Sequence, residues 1–499
     1  MCAKQKDFCL LRPVLFVLIL LFFTGTGFSQ ITWRRVYGGA SYDEAYSVDQ
    51  TTDGGYIVTG RTHSFGNGAQ IYLIRVDPWG DTIWTRTYGG GGRDWGMCVR
   101  QTADSGFIIT GFTDSFGDSL QIYLIKTDSI GDTLWTKTYG GPGNEVGYAV
   151  DITQDKGYVI VGGSGFNWAF DPIYLIKTDS LGNVEWNKIY YSDTVYSVGM
   201  AVQQTSDGGY IVAGSSTLDG GQVVLIKTDP LGDTLWTKQY AYQFNLVHSV
   251  QQTFDGGYIV IGWGPLFLRL FLLRTNSLGD TLWARTYVGP DGGLRGFSGQ
   301  QTTDGGYIAT GKYCVGQESL ESVFLLKTDS IGDTLWFKEY RAMLPDAWAY
   351  GNSVKQTMDG GYIIAGYTDW IGGANVYLIK TDQDGNVAGI EESGLTHELP
   401  FIPQLLTYPN PFFNRVTIKF QIPNGNVGQG FSLAIYDITG RLVRQWDYES
   451  ATLHGGIRRS DKIIWDGTDT DGRVLSQGVY FCRLEFGRTS VIQKVIKLR

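Results

Sequence analysis

The chain has 499 residues, 42% hydrophobic and 14% aromatic, which gives room for more than one domain and ample core. Its formal net charge of −9 is unevenly spread: residues 1–29 carry +2 and residues 407–499 carry +5, leaving −16 for the stretch between. An acidic body argues against a nucleic-acid or anionic-membrane surface, because either needs a basic patch.

At the front, Lys4, Lys6 and Arg12 precede an apolar run over residues 14–23, and small residues Gly27 and Ser29 follow. This is the pattern of a secretory signal peptide over residues 1–29, cut near Ser29–Gln30. The run is too short to span a bilayer comfortably, and no membrane span is expected in the mature chain. Cys2 and Cys9 would leave with the signal, so the mature chain keeps Cys98, Cys314 and Cys482. Three widely spaced thiols make no disulfide framework and stand in no CxxC or His-paired context, so packing must supply the stability.

Next comes Ile31-Thr32-Trp33-Arg34-Arg35-Val36-Tyr37, which matches only the second half of a stretch that recurs along the chain. Its clearest copy is YLIKTDSIGDTLWTKTYGG, beginning at Tyr123. Runs of β formers flank Asp128-Ser129-Ile130-Gly131, with equivalents at Asp77-Pro78-Trp79-Gly80 and Asp229-Pro230-Leu231-Gly232. Asp at the first position accepts backbone N–H bonds and Gly at the fourth takes positive φ, as in a type I turn followed by a bulge. Each copy therefore reads as a β-hairpin.

A second landmark, Asp-Gly-Gly-Tyr with small variants, begins at residues 53, 104, 155, 207, 255, 304 and 359. Spacings of 48 to 55 residues suit one four-stranded propeller blade per period, slightly longer than the roughly 40–50 residues of common families. Seven landmarks predict an all-β, seven-bladed β-propeller over residues 30–388. Hairpin tryptophans recur as Trp33, Trp84, Trp135, Trp186, Trp236, Trp283 and Trp336, while the seventh hairpin, from Asp382, lacks one. If the Trp33 strand completes the last blade, every blade has four strands and one Trp, and no edge is left open. Trp135→Ala is expected to cost on the order of 3–5 kcal/mol.

The periodic Asp-x-x-Gly…Trp blade resembles the repeats of pyrroloquinoline-quinone-type propellers, whose hairpin also ends in a docking Trp. The turn here is one residue shorter, and no set of calcium and quinone ligands matches. The resemblance implies the fold and carries no cofactor with it.

The two landmark turns vary little, so the variable loops should emerge on one end of the ring, where a rigid scaffold carries its contacts. Asp43, Asp94 and Glu145 share one aligned position in three adjacent blades, and Trp95, Trp168, Trp263, Trp348 and Trp370 fall in these loops. Aromatics beside acids can stack on sugars or order a cation. Asp43, Asp94, Glu145, Trp95 and Trp168 are the candidate ligand-binding residues, set against the plainer reading of loop caps and core covers. A column of glutamines (Gln50, Gln101, Gln204, Gln252, Gln301, Gln356) is expected to face the central channel and bond neighbours or water. The four histidines are scattered, no GxSxG, HExxH or phosphate loop is present, and neither a catalytic residue, a metal nor a cofactor is expected.

From residue 389 to 406 the periodicity stops in a polar, Gly- and Pro-bearing linker. Then Tyr408-Pro409-Asn410-Pro411-Phe412 opens a β module with, in order, IYDITGRLVR, WDGTDTDG, GVYFCRL and the terminal KVIKLR. These motifs resemble the immunoglobulin-like C-terminal sorting domains of the bacterial type IX secretion system. The resemblance implies an Ig-like β-sandwich over residues 407–499, read by that machinery, and delivery outside the cell. The expectation is a monomeric, secreted or cell-surface propeller that binds a surface glycan or protein without catalysis. The rival is a secreted carbohydrate-active hydrolase or lyase on the variable-loop face, which would need two carboxylates roughly 5–10 Å apart.

Overall fold

Each period alternates β-branched and aromatic runs with tight turns, and in the computed structural model every period becomes a four-stranded antiparallel sheet. The structure describes residues 30–498 except 118, 141–142, 165–172, 191–196, 217–221, 241–245, 265–268, 316–319, 344–346, 371–372, 388–403, 409, 423–430, 449–458 and 487–488. The signal-peptide expectation and Trp168 lie outside the described residues.

The first blade runs Asp43–Gln50, Tyr56–Thr62, Gln70–Val76 and Thr82–Tyr88, paired in chain order, and five more blades repeat this. The seventh takes Ala349–Gln356, Tyr362–Trp370 and Gly373–Thr381 from the end of the repeat and its outer strand, Trp33–Tyr37, from the front. Trp33 stands opposite Lys380 and Tyr37 opposite Val376. Across the junction of the seventh and first blades, Asn352 Nδ2 donates to Ala45 O at 2.7 Å and Met358 N donates to Gln50 Oε1 at 2.8 Å. The seventh blade thus lies against the first as each blade lies against the next.

The two central strands of a blade are buried on both faces, as strands between packed sheets should be. Only the outer strand alternates, with its tryptophan turned toward the next blade. Each indole covers the turn glycine of that next blade. A Cβ at Gly80 would fall 2.9 Å from the Trp33 ring, and the same holds for Gly131 under Trp84. These glycines also sit at φ of +80° and +82°, so the position excludes a side chain twice over. The tyrosine that ends each outer strand donates to the same glycine's carbonyl: Tyr37 to Gly80, Tyr88 to Gly131, and so on to Tyr340 and Gly385. One difference from expectation follows from the outer strand's position. Trp33 is 6% exposed, whereas Trp135 is half-buried, so Trp135→Ala removes less buried area and should cost about 2–3 kcal/mol.

The Asp-Gly-Gly turns carry a feature the sequence pattern hid. The cation that ends the third strand is buried in every blade and reaches the Asp of the turn: Lys126 to Asp104 at 2.8 Å, Lys177 to Asp155 at 2.7 Å, Lys380 to Asp359 at 2.9 Å. Arg75 with Asp53, Lys227 with Asp207, Arg274 with Asp255 and Lys327 with Asp304 complete the set. Each lysine also donates to the next residue's carbonyl, as Lys126 does to Thr127 at 2.8 Å.

The tail forms two sheets, one of three strands and one of four, that share one core around Trp465, Phe412 and Leu433. Its opening motif is clipped to its last strand. Asn410 Nδ2 donates to Lys494 O and its Oδ1 accepts from Ile496 N, while Phe412 packs on Trp465 at 5.4 Å.

Candidate functional site

The aligned acids at the variable-loop end brace the loops. Asp43 accepts from Gly39 N and Ser64 Oγ, both at 2.6 Å, and from Thr62 Oγ1. Asp94 does the same with Gly90 N at 2.9 Å, Ser115 Oγ at 2.7 Å and Thr113 Oγ1. Burial raises the pKa of Asp43, against the opposing pull of these hydrogen bonds. Glu145 is one methylene longer. Its Oε2 is buried without a hydrogen-bond partner among the described residues, and its backbone N donates to Leu120 O at 2.9 Å.

Trp95 belongs to a larger group, built one residue further along each inner strand. There the strand pairs place Glu44 opposite Arg61, Trp95 opposite Phe112, Arg295 opposite Lys312 and Tyr350 opposite Tyr367. Glu44 and Arg61 form an ion pair at 2.6 Å, and the Arg61 guanidinium lies 4.0 Å over the Trp95 ring. Tyr46 stacks on Trp95 at 6.2 Å and donates to Glu44 at 2.5 Å. Burial and the Glu44 carboxylate both push the Tyr46 hydroxyl well above its ordinary pKa, which keeps it a donor.

In the seventh blade Tyr350 and Tyr367 stack at 4.8 Å, with Trp348 edge-on to both. Glu321 of the sixth blade takes Lys312 as its ion-pair partner and the Tyr350 hydroxyl as a donor. In the third and fourth blades the same positions hold Val146 opposite Gly163 and Val198 opposite Ser215. In the fifth blade Trp263 stands opposite Leu246 with the Arg295 guanidinium 4.5 Å over its ring, so the polar and aromatic lining is one-sided, over blades five, six, seven, one and two. The sequence reading found Trp95 and Trp348 here and missed Glu44, Arg61, Tyr350 and Tyr367. Their signal was a column that changes character between blades while the position after it holds Gly in five of the seven.

Below this end runs the channel. All seven inner strands carry a bulge, between Ala45 and Ser47 in the first blade and between Val247 and Ser249 in the fifth. A bulge turns two consecutive residues to one side, so Tyr46 with Ser47, Met97 with Cys98 and His248 with Ser249 all line an interior of about 380 Å³. Burial lowers the His248 pKa to about 4, so the imidazole is neutral at ordinary pH, and Phe297 meets it edge-on at 5.3 Å. The glutamine column turns away from this interior, a correction to its expected place. Gln101 Oε1 accepts from Thr52 N at 2.8 Å and Gln50 Oε1 from Met358 N, and the six glutamines tie six of the seven blades to a neighbour's Asp-Gly-Gly turn, Ile152 standing at the position in the third. The residues just before the column line the channel instead, among them Arg100, Asp151 and Lys355.

Among the described residues no three His, Cys, Asp or Glu side chains meet as a metal site, and no helix is long and apolar enough to cross a membrane.

Residues 406–498 match a family described as the secretion system C-terminal sorting domain. The tail is a type IX sorting domain. A sorting domain of this kind marks export from a bacterium to the cell surface or the medium and implies recognition by the type IX machinery. A search of curated proteins returns no match. Similar solved structures include PorZ, a surface component of the type IX secretion system of Porphyromonas gingivalis, at 11% identity over 91% of this chain and 81% of that one, with a TM-score of 0.27. A protein of unknown function from Bacteroides caccae is 13% identical over 56% of this chain and 93% of its own, with a TM-score of 0.38. A puromycin hydrolase is 10% identical over 78% and 61%, with a TM-score of 0.45.

Proposed function

We propose that the protein is a monomeric binding scaffold displayed outside the cell, which holds a surface glycan at the variable-loop end of its propeller and does no chemistry on it. The observation that carries this reading is the one-sided row of half-buried rings, Trp348, Tyr350, Tyr367, Tyr46 and Trp95, across blades seven, one and two. Flat aromatic faces bearing hydroxyl and guanidinium groups suit the apolar face and polar rim of a sugar ring. The acids argue for binding over hydrolysis. Glu44 is tied to Arg61, Glu321 to Lys312, and Asp43 and Asp94 to their loops, which leaves Glu145, with one oxygen unpartnered among the described residues, short of the pair of acids a two-acid mechanism needs.

The work divides between a binding propeller over residues 30–388 and a delivery tail over residues 407–499, joined by 389–406. Exported full-length protein should retain glycans on an array, and Tyr350→Ala with Tyr367→Ala should weaken retention at least tenfold. Retention unchanged in the double variant, or release of sugar from the array, would overturn the reading; capture of a protein and no glycan would move the ligand class. Removal of residues 407–499 should leave the propeller inside the cell envelope.

A further inference from the structure

The channel has a second chemistry at its far end. The residue preceding the glutamine column has a repeated structural task, which is to accept the backbone N–H of the next blade. Asp49 accepts from Gln101 N at 3.2 Å, Asp151 from Gln204 N at 2.9 Å, Gln203 from Gln252 N at 2.6 Å and Gln251 from Gln301 N at 2.7 Å. Arg100 and Lys355 stand at the same position in the second and seventh blades, and neither side chain has an acceptor to offer. Arg100 donates to the carbonyl of its own neighbour, Val99, at 2.9 Å. Lys355 makes no hydrogen bond or ion pair among the described residues. Both line the interior beside Asp151, whose second oxygen accepts no hydrogen bond among the described residues, and Asp49 stands between the two cations in the blade order. The charges sense one another: the Arg100 cation, and then burial, lower the Lys355 pKa, against the pull of Asp49 and Asp151.

We infer that the channel is a binding site for a small zwitterion with an apolar body, the chemistry of a free hydrophobic α-amino acid. Its carboxylate meets Arg100 and Lys355, its ammonium meets Asp151, and its side chain rises into the layer of Met97, Met200, Phe297 and neutral His248. Two cations that cannot do their column's structural work, beside two acids, Asp49 and Asp151, each with one oxygen that accepts no hydrogen bond among the described residues, are explained by a ligand carrying both signs. An interior of about 380 Å³ lies within the range of small-molecule pockets. The inference does not depend on the glycan reading, because these charges lie at the opposite end of the inner strands from Tyr350 and Tyr367.

The test is calorimetric titration of the full chain with L-phenylalanine, 3-phenylpropionate, which lacks the ammonium, and 2-phenylethylamine, which lacks the carboxylate. L-Phenylalanine should bind at least tenfold more tightly than either analogue. Lys355→Met and Arg100→Met should each weaken it at least tenfold, while glycan retention stays at the wild-type level. No binding of L-phenylalanine at about 10 mM, enough to saturate a site with a Kd of roughly 1 mM, would overturn the inference. So would binding of either analogue as tightly as L-phenylalanine, an outcome read on the wild-type protein alone and independent of whether the variants fold.

Discussion

The two ends of the same blades are both held by aspartates, and they use them in opposite ways. At the turn end Asp104 and Asp155 face buried lysines. Burial alone would raise their pKa, but the bonds from Lys126 and Lys177, with a threonine hydroxyl and a glycine N–H, outweigh it and hold both at about 2. At the variable-loop end Asp43 has only hydroxyls and a backbone N–H for company, and burial raises it. The lesson lies in what a carboxylate meets: Asp104 and Asp155 keep more than half of their side chains in water and meet a buried cation, while Asp43 is itself buried. A cation makes the turn end a place where charge stabilises the fold, and seven copies repeat it. Neutral donors make the loop end a brace that tolerates charge without gaining from it.

The strongest way to break the turn end is to remove an indole. Trp33→Ala should cost about 3–5 kcal/mol, read as a drop in the denaturant midpoint, since it empties the cover over Gly80 at the junction of the last and first blades. Asp359→Ala comes next, at about 3 kcal/mol. It strands the Lys380 cation, 2% exposed, whereas Lys380→Met should be milder because Asp359 is 39% exposed and keeps access to water.

A pair of glycines separates strain from packing. Gly131→Ala should cost about 2–4 kcal/mol, because positive φ and the Trp84 ring both oppose a Cβ. Gly440→Ala in the tail has the same φ of +82° and open space around it, so thermal melting should show only the strain, about 1–2 kcal/mol.

Acid sharpens the comparison further. The turn aspartates have folded pKa values below their unfolded value near 4, so their stabilisation is complete above that pH and fades as the pH falls toward about 2. Asp43, raised, works the other way: its contribution is present below its unfolded pKa and is lost as the pH rises through the folded one. Carboxyl NMR titration should place Asp104 and Asp155 below ordinary carboxylates and Asp43 above them; one common value would erase the distinction. The smallest effect is Trp79→Ala, within about 0.5 kcal/mol by the same midpoint measurement, because this tryptophan sits at a turn tip with 58% exposure.

Much of this was legible in the chain. Asp-x-x-Gly turns with their bulge, the seven tryptophans, the outer strand borrowed from Trp33 and the sorting motifs all rest on residues close in sequence or on strict repetition. The candidate site was legible in part. Trp95 lies where a contact residue was expected, while Asp43 and Asp94 occupy themselves as loop braces. The cation at Lys126 and its six equivalents escaped notice because a lysine closing an apolar strand looks like an ordinary solvent-facing end.

Sequence alone determined the local chemistry: which residues turn, which extend, how many times the unit repeats, and what carries the protein out of the cell. Those follow from backbone preferences and side-chain alternation, which act over a few residues. Only the tertiary structure decided what faces the channel. The bulge beside Tyr46, repeated in every inner strand, interrupts the alternation, turning two successive residues inward and moving the glutamines off the channel wall. A bulge arises where strands must bend to pack around a common axis, and that demand exists only once seven sheets share one.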